Sequence, residues 1–268
     1  MRKQSFVQIR ADDWEDAVAL GKGFAGHAFR GQSNAQWLLS TTVERAARRY
    51  GFPDGGLRNR EVVLLNNFQR RAHHYINDLP SIDDRLEWLA LMQLHGAPTR
   101  LLDCTHSFYV AAFFAMESAE QGAAIWALSS DFTMGHTSNH LNETQTILDL
   151  ENESREVVQV YLSGCRTRPC VMLVEPYRMN ARLAVQQGCF VMPGDLGKSF
   201  MDNLAFSLGE DVTVFTAQSA RPIRRGDAAR LFDTPVVKIV LGVPVVLEQK
   251  TTILPFIAHD TLLRHKSA

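Results

Sequence analysis

No long hydrophobic run occurs in this sequence. Its richest apolar stretch, Phe108 to Met116, covers about two and a half helical turns. That is far short of the ~18 consecutive apolar residues of a membrane span, so no membrane partner is expected. Charge of one sign is lacking too: 28 Lys and Arg against 29 Asp and Glu leave a formal net charge of −1. No bulk field draws the chain onto nucleic acid or anionic lipid, and any anion must be held locally. Cysteine is scarce, at four in 268 residues. Cys104, Cys165, Cys170 and Cys189 are too scattered for a disulfide framework, which makes reduced thiols in a cytoplasmic protein the expectation. The opening MRKQSFVQIRADDWEDAV lacks the unbroken apolar core of an export signal, which points the same way. Repeats, low-complexity tracts and linkers are also missing, so one continuous domain over residues 1–268 is expected. What remains is ordinary globular material, with 46% apolar and 21% charged residues, enough to bury a substantial core.

The first third reads as helical. Asp12 or Asp13 suits an N-cap before Trp14, with a stop at Gly21. A short apolar segment, His27 to Phe29, runs into Arg30-Gly31-Gln32-Ser33. Thr41 and Glu44 have capping-box spacing, which predicts a helix over Thr42 to Tyr50 that ends at Gly51. Val62, Leu65, Phe68, Ala72 and Tyr75 recur every three or four residues, predicting an amphipathic helix from Arg58 to Ile76. Asp83 is placed to cap a further helix that ends at Gly96 and Pro98. A strand is expected at Thr99 to Leu102, then a polar turn and a buried helix containing Ala111, Ala112, Phe113 and Ala115. Ala123 to Leu128, Cys170 to Glu175 and Val236 to Leu241 read as central strands, and Asn142 to Leu162 as a helix. Residues 188–226, rich in Gly, Asp, Ser and Pro, read as an irregular insertion or lid. The fold class is therefore α+β, with a helix-rich N-terminal third packed on a mixed or antiparallel central sheet.

Several chemistries fail on spacing. The nine histidines and four cysteines show no C-x-x-C; Cys165 and Cys170 span a proline, and His136 and His140 lack HE-x-x-H logic, so no metal is expected. Cys104 sits between Asp103 and Thr105 just before His106, but adjacent residues seldom face one another as nucleophile and base. Gly21 to Gly26 spells G-x-G-x-x-G after a predicted helix instead of a strand, which is the wrong context for a dinucleotide fingerprint.

Three segments carry a resemblance. His27-Ala28-Phe29-Arg30-Gly31-Gln32-Ser33, then Gln93-Leu94-His95-Gly96-Ala97-Pro98-Thr99-Arg100-Leu101-Leu102-Asp103 with the Ala111-to-Ala115 helix behind it, resemble the FRG-domain family, named for its Phe-Arg-Gly motif. Ala181 to Phe190 is similar to that family's Arg-x-x-x-Gln-x-Gly-x-Phe stretch. Two departures stand out: the family's Gln-His-Tyr-Gly is here Gln93-Leu94-His95-Gly96, and its Asp-Trp-Thr is Asp103-Cys104-Thr105.

The motif order resembles the three-part layout of ADP-ribosyltransferases, which implies NAD as substrate and a protein, nucleic-acid or small-molecule target. On that resemblance Arg30, Asp103, Thr105 and Gln187 are the candidate catalytic residues. Arg30, Gly31, Gln32, Arg100 and Gln186 are the candidate ligand-binding ones, and Arg30 or Arg100 would hold the diphosphate through bidentate contacts. Where a transferase turn carries its Glu, this sequence reads Gln186-Gln187-Gly188, so Asp103 or Glu117 would have to stand in. Such a protein would be an enzyme or an effector of toxin or defence type. Two other classes stay open. One is a non-catalytic ligand- or nucleic-acid-binding module using Arg60, Arg70, Arg71, Arg221, Arg224 and Arg225. The other is a hydrolase of nucleotides or nucleic acid using Asp103, His95 and His106.

Overall fold

The computed structural model describes residues 6–52, 56–130, 133, 147–164, 167–178, 180–208, 234–243 and 245–246. Among them the elements run β1 (Val7–Ala11), α1 (Trp14–Gly23), β2 (His27–Gln32), α2 (Thr42–Tyr50), α3 (Leu57–Ala72), α4 (Arg85–Leu94), β3 (Leu102–Thr105), α5 (Phe108–Glu117), β4 (Ala123–Ser129), α6 (Ile147–Ser163), β5 (Val171–Val174), α7 (Ala181–Val185), β6 (Gly188–Pro193), α8 (Phe200–Ser207) and β7 (Val236–Leu241). The strands form one sheet in the order β1-β7-β4-β2-β3-β6-β5. Only β1 and β7 run parallel; every other neighbouring pair is antiparallel. This is the α+β class with a mixed sheet. Among the described residues no helix is long and apolar enough to cross a membrane.

Local chemistry sets the element ends. Thr41 and Glu44 close the reciprocal capping box of α2, and Gly51 ends that helix in the left-handed region at φ 67, a conformation that costs glycine nothing. Asp13 caps α1 through the Asp16 amide, and Asp84, one residue beyond the expected Asp83, caps α4.

Strand β4 is buried along nearly its whole length. Its side chains alternate between the two faces of the sheet: Ile125 and Ala127 join Phe24, Phe29, Phe108 and Ile239 under α1 and α5, while Trp126 and Leu128 join Leu102, Val191, Phe200 and Leu204 on the opposite side. Helices α3, α4 and α6 add a third cluster at the β5–β6 end, built on Trp88, Met92, Tyr161, Met172 and Phe190. Each large apolar side chain buried this way contributes about 1.5–3 kcal/mol.

Three expectations are corrected. The strand expected at Thr99 to Leu102 begins only at Leu102, because the preceding amides are taken by side chains instead of a neighbouring strand. Thr99 N donates to Thr42 Oγ1 at 2.8 Å, Arg100 N to Glu61 Oε1 at 3.0 Å, and Leu101 N to Thr99 Oγ1 at 3.1 Å. The run at Cys170 to Glu175 forms β5, which lies at the edge of the sheet and not at its centre. The span 188–226, expected to be irregular, opens with the fully buried strand β6 and the helix α8; its residues 209–226 lie outside the described residues, as do 142–146 of the expected 142–162 helix.

Candidate functional site

Strands β2 and β3 are joined at a single register pair, Phe29 opposite Thr105, whereas β2 pairs with β4 along its whole length. Beyond Phe29 the ladder between β2 and β3 stops. A cleft of about 250 Å³ lies there, walled by residues of β2 and β3 together with Ala90 and Leu94 of α4, Val110 and Phe114 of α5, and Leu183 of α7. Most of that lining is apolar, and the polar groups it holds are few, as in small-molecule sites generally.

Arg30 spans the gap between the strands. Its Nη1 donates to the Asp103 main-chain carbonyl at 2.5 Å and stands 3.9 Å from the Asp103 carboxylate. The Arg30 side chain is 17% exposed and that of Asp103 is 57% exposed, so the carboxylate is open to solvent while the guanidinium is largely enclosed. Arg30 Nε is buried without a hydrogen-bond partner, an unmet donor that costs about 1–3 kcal/mol. Asp103 is the sole carboxylate among the described residues lining the cleft. Glu117, the other acid considered, ends α5 and does not line it.

Of the remaining sequence-derived candidates, Gly31, Thr105 and Gln186 also reach the cleft. Gly31 is there for packing: a Cβ would meet the Ala111 carbonyl oxygen and would lie 2.6 Å from Ala115 N, so only glycine lets α5 lie this close to β2. Thr105 acts as a latch, its Oγ1 donating to the Gln186 carbonyl at 2.6 Å and accepting from Ser107 N at 3.0 Å.

Three candidates are not brought there. Gln32 accepts from Trp126 Nε1 at 2.8 Å and donates to the Leu38 carbonyl. Gln187 occupies the left-handed region at φ 47 and accepts from His106 N through its main-chain oxygen. Arg100 is 3% exposed and forms a buried ion pair with Glu61 of α3, with Nε 2.7 Å from Glu61 Oε2 and Nη2 bonded to the same oxygen. Its guanidinium serves the core, so Arg100 does not hold a ligand in this cleft.

Nor does the cleft assemble the hydrolase trio. His95 is the C-cap of α4 and lies beside the Phe68 ring. His106 pairs with Glu175 of the β5 end at 2.7 Å, and neither histidine lines the cleft. Gln93 lines it, but Thr99 Oγ1 donates to its Oε1 and its Nε2 donates to Leu101 O, so the amide is committed to the scaffold. Cys104 also lines it. Burial pushes that thiol up to about 12, the Arg30 charge opposing and Asp103 adding to the effect, so almost none is thiolate near neutral pH. On α3, Arg60 lies over the Phe52 ring at 3.5 Å, and Arg70 and Arg71 are exposed; Arg221, Arg224 and Arg225 lie outside the described residues.

Two residues of the lining were missed. Arg182 and Phe190 face the cleft together with Gln186 and Gly188, so all four fixed positions of the Arg-x-x-x-Gln-x-Gly-x-Phe stretch meet there. The signal was in that motif itself. Asn180, which caps α7 through Leu183 N at 2.9 Å, also lines the cleft.

Comparison with known proteins follows the geometry. A family model described as FRG domain matches residues 26–124. The match runs from β2 to the start of β4 and includes Arg30 and Asp103, but leaves α7 and β6 outside it. No curated protein and no solved structure matches the chain.

Proposed function

We propose, for a chain whose residues 26–124 form an FRG domain, that the cleft takes the nicotinamide riboside half of NAD and that the protein transfers ADP-ribose to an acceptor. The cleft volume of about 250 Å³ lies just below the roughly 300–1,000 Å³ of sites that enclose a whole drug-sized ligand, which suits half of a dinucleotide. The apolar faces of Phe114 and Phe190 fit a flat ring, and Arg30 and Arg182 fit an anionic chain leaving the cleft.

NAD supplies a ribose-to-nitrogen bond whose electron pair departs with neutral nicotinamide, leaving positive charge on the ribose carbon. Asp103, held by Arg30 at its main chain, offers a fixed carboxylate to that developing charge. Preorganised groups of this kind act without reorganising during the reaction. The acceptor forms the new bond to the same carbon, and its proton passes to Asp103 or to water. Thr105 keeps the Gln186 turn against β3 and so fixes the far wall.

The observation that carries this reading is the meeting of Arg30 and Asp103, from two strands, on one wall of an apolar cleft. Nicotinamide release from NAD, measured chromatographically, tests it. Wild type releases nicotinamide, and Arg30→Ala and Asp103→Asn, each checked for folding by thermal melt, lose about 100-fold or more of the rate. Undiminished release by either folded variant overturns the site; no release and no NAD binding by wild type overturns the function.

A further inference from the structure

The cleft accounts for Arg30 and Arg182 but leaves two nearby guanidiniums without a role. Arg45 and Arg48 stand one turn apart on α2, and both reach back to Ser40. Arg45 Nη1 donates to the Ser40 carbonyl at 2.5 Å, and Arg48 Nη2 bonds to the Ser40 hydroxyl. Among the described residues neither guanidinium lies within ion-pair distance of a carboxylate.

The acid nearest in sequence, Glu44, is committed elsewhere. Its carboxylate accepts from Thr41 N at 3.0 Å, from the Ser40 hydroxyl at 2.7 Å and from Phe200 N at 2.5 Å, and the residue is 7% exposed. The charged groups that bear on Arg45 are Arg30, Asp103, Arg48 and Glu44. Burial, and after it the Arg30 charge, push the Arg45 guanidinium below its ordinary value. Three like charges are therefore gathered beside one solvent-open carboxylate, an arrangement that is costly when empty and that an anion relieves.

We propose that Arg30, Arg45 and Arg48 form a diphosphate subsite at the edge of the cleft. This rests on the reading of the cleft as an NAD site and supplies what that reading lacks. The cleft encloses about half of the dinucleotide, so its phosphates must leave it, and Arg30 is the side chain common to both places. Arg100, the other arginine with the right chemistry in the motif, is locked to Glu61. Planar guanidinium forks grip phosphate oxygens in pairs, which ammonium groups do not.

The test separates the subsite from the reaction by using inorganic pyrophosphate as the probe, followed by calorimetric titration at low and moderate salt. Wild type binds pyrophosphate, more weakly as salt rises. Arg45→Gln/Arg48→Gln binds it at least about tenfold more weakly, the loss expected when hydrogen bonds to a charged group are removed, and with less salt sensitivity. A double variant that folds and binds pyrophosphate like wild type overturns the subsite, as does a wild type that does not bind it. Should the Gln pair fail to fold, Arg45→Lys/Arg48→Lys keeps the charge and loses the fork, and must still bind several-fold more weakly; unchanged binding overturns the proposal. Wild type that binds pyrophosphate through these arginines yet releases no nicotinamide leaves the subsite standing and removes the NAD reaction.

Discussion

Arg100 and Glu61 meet inside the core, 39 residues apart in sequence, with the Arg100 amide and guanidinium both bonded to one carboxylate. Both side chains are under 5% exposed. Two charges taken out of water tolerate each other only while paired, and removing one leaves the other uncompensated. Arg100→Ala and Glu61→Gln are therefore expected to cost about 3–5 kcal/mol in urea unfolding. Replacing the pair together by Met and Leu restores most of that. Pyrophosphate binding by the folded fraction of Arg100→Ala stays at the wild-type level, the opposite of what a ligand-holding arginine would give.

Gly31 faces α5 so closely that a methyl group has no room beside Ala111 and Ala115. Gly31→Ala forces the helix away from β2, and overpacking of this kind costs about 1–3 kcal/mol. Because Val110 and Phe114 ride on the same helix and wall the cleft, NAD binding weakens along with the thermal midpoint. A Gly31→Ala protein as stable as wild type would show that α5 can move at no cost.

How much of this was legible depended on the range of the interaction. The Thr41–Glu44 capping box lies within four residues, and the sequence predicts its helix to the residue. Phe-Arg-Gly could be found but not apportioned: Phe29 packs on Phe108, Gly31 admits α5, and only Arg30 faces a carboxylate. Arg100 read as a ligand residue because its partner Glu61 sits on another helix, and no local pattern links the two. Strand β6 was hidden by Gly188 and Pro193 at its ends, residues that read as turn formers until the neighbouring strands β3 and β5 are in place. Arg182 was within view in a quoted motif, yet attention went to the glutamines that replace a transferase Glu.

Cys104 lines the cleft but is inert in this structure. With its thiol held at about 12 by burial, alkylation of the native protein at pH 8 should leave the Cys104 peptide unmodified by mass spectrometry, and denaturant should expose it. Cys104→Ala retains nicotinamide release, since the residue contributes packing alone. Rapid native alkylation accompanied by loss of release would make it a participant.

The pair His106 and Glu175 ties the end of β3 to the end of β5, next to the turn whose Gln186 faces the cleft. The bond to Glu175 raises His106 from its ordinary 6.5, burial opposing, and the same bond lowers Glu175 from its ordinary 4.5. A raised histidine stabilises the fold below its unfolded value, and that contribution is lost as pH rises through the folded value. A lowered glutamate stabilises above its unfolded value and loses its contribution as pH falls through the folded one. The pair is therefore fully effective between pH 4.5 and 6.5. Since the side chains are 40% and 58% exposed, the expected gain is only about 0.2–1 kcal/mol. Thermal midpoints of wild type and Glu175→Gln, measured from pH 4 to pH 9, should differ most inside that window and converge at the alkaline end. A constant offset across the whole range would mean that the contact is packing and not charge.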